Sequence, residues 1–228
     1  MKEKRLRGLF GRASHQDRVS VYYRPMDGTV DVSAFVLAGG KSSRMGVDKA
    51  FVEYEGQTLL ARALDLAHSV ASDVRIVGNR HKFSVFAPVV EDIFHDCGPL
   101  GGIHAALRAS PTENNLMLAV DTPFLSLQFL RYLIEQARAA PEAAVVIASV
   151  GGGWQPLCAI YRRIFVDPAE TALRAGHNKI DRLFANLHTR IIDDRELKSA
   201  GFSLDMFGNL NTPEELKAAQ EKSVVDLH

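Results

Sequence analysis

The stretch "VSAFVLAGGKSSRMGVDKA", Val32 to Ala50, decides the fold class. Its first seven residues, "VSAFVLA", are a short, almost wholly apolar run that ends on Gly39-Gly40. A run of that length closed by glycines reads as a strand buried on both faces, as in a parallel sheet covered by helices. The residues after the glycines are polar and cationic. Gly40-Lys41-Ser42 looks like the tail of the common ATP-binding loop, but that loop needs a glycine at position 35, which is Phe35. The dinucleotide fingerprint fails too, because the glycines stand at 39, 40 and 46. The stretch still suits a polyphosphate. Paired glycines let backbone N–H groups approach a ligand with no Cβ in the way. Arg44 and Lys49 add two cations, with Gly46 allowing a bend between them. A strand-to-helix turn with solvated cations fits the same composition.

Outward from this stretch, strands and helices alternate. "DVRIVGN" from Asp73, "APVVED" from Ala87, "NNLMLAVD" from Asn114 and "AAVVIAS" from Ala143 read as strands, and "PLCAIY" from Pro156 as another. "TLLARALDLAHSVA", with Thr58 as cap, and "SLQFLRYLIEQARAA" from Ser126 have helical spacing. "GPLGGIHAALRA" from Gly98 is a turn feeding a helix. After Tyr161 the chain turns helical, with a short strand "TRIID" and a last helix from Thr212. The pattern predicts an α/β fold, a mainly parallel twisted sheet with helices on both faces, as a single domain over 32–222. Ligands then sit beyond the carboxyl ends of the strands. Gly151-Gly152-Gly153 is expected to be a mobile connection and a candidate lid.

The first 25 residues stand apart, with seven Lys or Arg and no periodicity. Residues 1–31 are expected to be a basic, disordered extension, and Met26 an alternative start. Lys+Arg and Asp+Glu are both 27, so nothing argues for general nucleic-acid affinity, which needs a basic surplus. No run of about 18 apolar residues suggests a membrane span. Cys97 and Cys158 have neither metal-ligand spacing nor a disulfide framework, and a cytoplasmic protein with reduced thiols is expected. The eight histidines show no metal-ligand grouping.

Leu37-Ala38-Gly39-Gly40, Ser42, Arg44-Met45-Gly46 and Asp48-Lys49 strongly resemble the signature loop of the molybdenum cofactor guanylyltransferases. Val47 stands where many members have glycine. The resemblance implies a Rossmann-like sheet of the nucleotide-diphospho-sugar transferase type. Three further islands resemble the family, in order, and the whole resemblance runs roughly from Ser33 to Ala219. In "VVEDIFHDCGPLGGI", Asp92 and the Gly98-Pro99-Leu100-Gly101-Gly102 turn match the region that holds guanine. A carboxylate can accept from guanine N1–H and the exocyclic amine together, an edge that adenine and cytosine lack. Asp96 is the competing carboxylate, or a helix cap. "LAVDTPFL" places Asp121 at the end of a buried strand, where the resemblance implies a ligand for Mg²⁺. "FGNLNTPEEL" supplies Asn209 and Asn211 as candidates for the second substrate or metal support, while Thr212 and Pro213 start a helix. Asn79 matches a residue near the nucleotide, or is a turn asparagine. Trp154 and Gln155 are candidates for the pterin, and Arg174, His177 and Lys179 for phosphate.

The resemblance implies transfer of GMP from GTP to Mo-molybdopterin, with release of pyrophosphate, by Arg44 and Lys49. Nucleotide contacts would come from Leu37, Ala38, Gly39, Gly40, Lys49, Asn79, Asp92, Gly98, Pro99, Leu100 and Asp121. Partners from cofactor biosynthesis and molybdoenzyme chaperones are expected on the same ground, and neither nucleic acid nor membrane. Two alternatives stay open. One is a cytidylyltransferase using CTP, whose loop usually carries a second alanine. The other is a non-catalytic binding or delivery protein for the cofactor, which would not need Asp121.

Overall fold

A computed structural model describes residues 31–39 and 48–225. The expected extension before Asp31 and its start at Met26 lie outside the described residues, as do Gly40, Arg44 and the rest of 40–47. The strands are β1 Val32–Leu37, β2 Glu53–Tyr54, β3 Gln57–Thr58, β4 Asp73–Val77, β5 Val89–Val90, β6 Asn114–Ala119, β7 Val145–Val150, β8 Gly153–Arg162 and β9 Thr189–Ile192. The helices are α1 Leu59–His68, α2 Arg80–Phe83, α3 Gly98–Ala109, α4 Leu127–Ala139, α5 Val166–Arg174, α6 Asp181–Phe184, α7 Asp194–Ser199 and α8 Pro213–Val225. Among the described residues three short 3-10 turns join them, one of which is Lys49–Phe51.

The sheet has the order β5-β4-β1-β6-β8-β7-β9. The ladders β4–β5, β1–β4, β1–β6 and β7–β9 are parallel, whereas β8 pairs antiparallel with both β6 and β7. The chain steps from β1 outward to β4 and β5, then returns to lay β6 on the other side of β1. That reversal opens a crevice at the carboxyl ends of β1 and β6, where open α/β sheets hold their ligands.

Each face of the sheet carries its own core, and β1 feeds both because side chains alternate along a strand. Val32, Ala34 and Val36 pack with Leu60, Leu64, Phe129 and Leu133 on the face covered by α1 and α4. Phe35 and Leu37 pack with Leu100, Ile103, Leu107, Phe165 and Leu173 on the face covered by α3 and α5. At the amino end, Ser33 N–H donates to Thr112 Oγ1 at 3.1 Å and Asn115 Nδ2 to the Tyr161 carbonyl at 3.2 Å. These buried polar groups are satisfied, so that end fixes strand alignment.

The glycine run is a tight hairpin turn, not a lid. Val150 pairs with Gly153, and Gly151 and Gly152 between them have φ of 56° and 78°. Two positive φ values make the two-residue turn that matches strand twist. Asp194 of α7 accepts from Gly151 N–H through both oxygens, at 3.1 and 3.2 Å. Among the described residues no helix is long and apolar enough to cross a membrane.

Candidate active site

β1 and β6 deliver the site's two lips. Leu37 pairs with Ala119, so Gly39 and Asp121, each two residues on, emerge side by side at the switch point. The chain re-enters at Asp48, whose Oδ1 accepts from Ala50 N–H at 3.0 Å and so caps the 3-10 turn Lys49–Phe51. Lys49 Nζ donates to Asp121 Oδ2 at 2.9 Å and to Asn211 Oδ1 at 2.5 Å. The third partner comes from far along the chain, and its position has a clear cause. Leu210 N–H donates to the Asp121 carbonyl at 2.9 Å, which ties the approach to α8 onto the end of β6. Glu215 then accepts from Asn211 and Thr212 N–H at 2.6 and 3.1 Å, while Thr212 Oγ1 accepts from Glu215 N–H at 3.2 Å. This reciprocal capping box fixes the backbone beneath Asn211.

On the α3 side of this cluster lies a cavity of about 560 Å³. Leu37, Gly39, Asp92, Asp96, Gly98 and Pro99 line it, with Gly102 at its floor. A Cβ on Gly101 would stand 2.8 Å from the Phe94 carbonyl oxygen, and one on Gly102 3.1 Å from Leu37 Cδ2. The paired glycines therefore allow α3 to press against β1 and against the 92–96 segment. Asp92 Oδ1 is buried with no hydrogen-bond partner among the described residues. Burial pushes its pKa up, partly offset by His95. A buried acceptor without a donor is costly unless a ligand supplies one.

The other predicted residues are scattered around these two features. Ala38 is buried, its N–H on the Val77 carbonyl at 3.0 Å. Leu100 is fully buried in the α3-side core. Asn79 caps α2, with Oδ1 accepting from Lys82 N–H at 3.2 Å, and its φ of −73° is not left-handed. Asp96 does not cap α3. It has a φ of 58°, and Cys97 holds the cap position without a side-chain bond. Asn209 is exposed and separate from Asn211. It borders a larger cavity of about 1060 Å³, lined also by Tyr54, Phe124, Gln155, Met206 and Leu210. Trp154 leaves that cavity to its neighbour Gln155 and packs edge-on against Phe184, with ring centres 5.4 Å apart. Arg174 is paired with Glu170, and His177 and Lys179 are exposed.

Sequence reasoning read Glu215 only as an early acid of a helix start and missed Lys82. Thr212-x-x-Glu215 is a legible capping-box spacing. Lys82, whose ammonium meets Asp48 Oδ2, lies on a four-residue helix that no periodicity announces. Neither cysteine forms a disulfide, and Cys158 is buried.

A carboxylate and an amine held together at the switch point of a twisted α/β sheet, beside a cavity with an unanswered acceptor, make a ligand site of the kind open α/β sheets use for nucleotides. Residues 34–191 match the family model described as the MobA-like NTP transferase domain. The molybdenum cofactor guanylyltransferase of Syntrophotalea carbinolica is 33% identical over 81% of this chain and 89% of its own. That of Desulfosudis oleivorans is 34% identical over 83% and 94%. The crystal structure of molybdopterin-guanine dinucleotide biosynthesis protein A from Archaeoglobus fulgidus superimposes with a TM-score of 0.73 at 27% identity, covering 85% of this chain and 99% of that one. The chain belongs to the MobA-like NTP transferase family, a family of nucleotidyltransferases.

Proposed function

We propose that the protein transfers GMP from GTP to the terminal phosphate of Mo-molybdopterin, giving the guanine dinucleotide form of the cofactor and pyrophosphate. The observation that carries the choice of base is Asp92 Oδ1, buried and unpartnered in the cavity beside Gly39 and Pro99. Guanine presents two adjacent donors, N1–H and the exocyclic amine, to such a carboxylate. Relatives that share a third of the sequence carry guanylyltransferase names, which supports the same base.

An acceptor phosphate oxygen attacks the α-phosphorus of GTP. A new O–P bond forms, and the bond from the α-phosphorus to the bridging oxygen breaks, with its electron pair leaving on pyrophosphate. The acceptor oxygen is already ionised near neutral pH, so no strong base is required. Positioning and charge neutralisation are then the main tasks. Lys49, held between Asp121 and Asn211, is the cation aimed at the phosphates. Arg44 is proposed to act beside it from the signature loop. Leu37, Gly39, Gly98 and Pro99 are proposed to enclose the base, and Asn79 to shape that side through its cap on α2. The larger cavity, with Gln155 and Asn209 on its wall, is proposed to take the second substrate.

Among the described residues no group of three or more His, Cys, Asp or Glu gathers as a metal site. Asp121, whose Oδ2 accepts from Lys49, nevertheless fits Mg²⁺ as a single carboxylate ligand, since that ion is usually held by one or two carboxylates together with substrate phosphates. When bound there, the ion supplies charge neutralisation on phosphate oxygens.

The deciding experiment compares GTP and CTP with molybdopterin as acceptor and reads pyrophosphate release. Turnover with GTP alone is expected, and equal or preferred use of CTP would overturn the assignment. Lys49→Ala should mainly lower kcat, by about a hundredfold or more, the scale of removing one charge-stabilising group. An unchanged kcat would exclude its role.

A further inference from the structure

The two oxygens of Asp48 do different work. Oδ1 caps the 3-10 turn that carries Lys49, and Oδ2 meets the Lys82 ammonium. Lys82 is in turn fixed at its backbone, because Asn79 Oδ1 accepts its N–H. Beside this polar chain, Phe51 of the turn packs on Phe83 and Phe86, with ring centres 6.0 and 5.9 Å apart. The aromatic contacts set the distance between the α2 segment and the turn, while the ion pair orients it. Charge points the same way. Asp48 stands one residue before Lys49, and an uncompensated carboxylate there would repel an incoming triphosphate.

We propose that Lys82 is a positioning residue: it pins and neutralises Asp48, so that the turn Lys49–Phe51 presents the Lys49 ammonium to the phosphates. This rests on the phosphate role proposed for Lys49. Lys82 is 44% exposed, and exposed ion pairs add little to stability, so its loss should be felt in geometry rather than in folding.

The test compares Lys82→Ala, Lys82→Arg, Asp48→Asn and the double variant Asp48→Asn/Lys82→Ala by GTP turnover, GTP affinity, thermal midpoint and amide hydrogen exchange without nucleotide. Lys82→Ala is expected to lower kcat about ten- to a hundredfold, as displaced catalytic groups do, with little change in midpoint. Exchange at the Ala50, Phe51 and Val52 amides should rise. Lys82→Arg should keep most of the activity. The double variant should be no worse than the more damaged single variant, since coupled residues are not additive. Weaker GTP affinity with independent, multiplying effects would make Lys82 a direct phosphate contact and overturn the proposal. So would unchanged exchange at those three amides. If wild-type protein fails to turn over GTP while exchange still rises in Lys82→Ala, the proposed reaction falls and the positioning stands.

Discussion

At the scale of single residues, Asp92 sets a function against stability. Burial raises its pKa, so the folded protein binds its proton more tightly than the unfolded chain does. The sign comes from linkage: above the folded-state pKa the carboxylate opposes folding, and the opposition is relieved as pH falls through that value. Asp92→Asn should therefore raise the thermal midpoint at neutral pH while weakening GTP binding. In the wild type, GTP affinity should fall on acidification at a higher pH than an ordinary aspartate would dictate, and the variant should lack that step. Calorimetric titration across pH checks both, and a variant that binds GTP as tightly as wild type would remove Asp92 from base recognition. Lys49 shows how far a sequence reaches at this scale. Its motif raised the expectation of a phosphate contact, and Asp121 was read as the end of a buried strand that in fact stops two residues earlier, at Ala119. That they meet each other and Asn211 was not legible, because the pairs are separated by 72 and 162 positions.

At the scale of elements, two joints tie helices to their neighbours. The capping box at Thr212 and Glu215 holds Asn211 at Lys49. Glu215→Ala should cost about 1 kcal/mol of stability, the usual size of a lost cap, and should also lower GTP turnover. Chemical denaturation and pyrophosphate release measure the two, and undiminished turnover would show that the box serves only α8. The second joint is Glu170 of α5, which bonds Arg174, Arg108 and His104. Arg174, Arg108 and then His104 hold its pKa down to about 2, against an ordinary 4.5. The stabilisation is present above pH 4.5 and is lost as pH falls toward 2. Glu170→Gln should show a flatter stability profile in that window, followed by circular dichroism, and an unchanged acid transition would dismiss the joint. Elements with a long enough pattern were legible: β1 and β6 as apolar runs and α1 and α4 by their helical spacing lie where the sequence put them. The β2–β3 hairpin, α2 and α7 were not, since two to six residues carry no period. The antiparallel setting of β8 was hidden for another reason. Three glycines signal a turn but not its tightness, which the φ values of Gly151 and Gly152 supply.

At the scale of the whole molecule, one sheet serves two cores. Phe129 and Phe165 are fully buried on opposite faces, yet β1 contributes side chains to both cores. Phe129→Ala and Phe165→Ala should each cost about 3–5 kcal/mol, and each should lower one shared unfolding transition. Two resolved transitions in scanning calorimetry would mean that the faces unfold independently. The bond from Leu210 N–H to the Asp121 carbonyl has a consequence for how the protein is made. Synthesis runs from the amino end, and by Asp121 the chain holds β1, β6 and, among the described residues, all of the lining of the cavity beside Gly39 except Leu157. The segment that steadies Lys49 leaves the ribosome some ninety residues later, by a rough count along the chain on which domains fold as they emerge. A nascent chain thus carries most of the residues of that cavity's wall before Asn211 has been made, and the arrangement of Lys49 with Asn211 waits on the approach to α8.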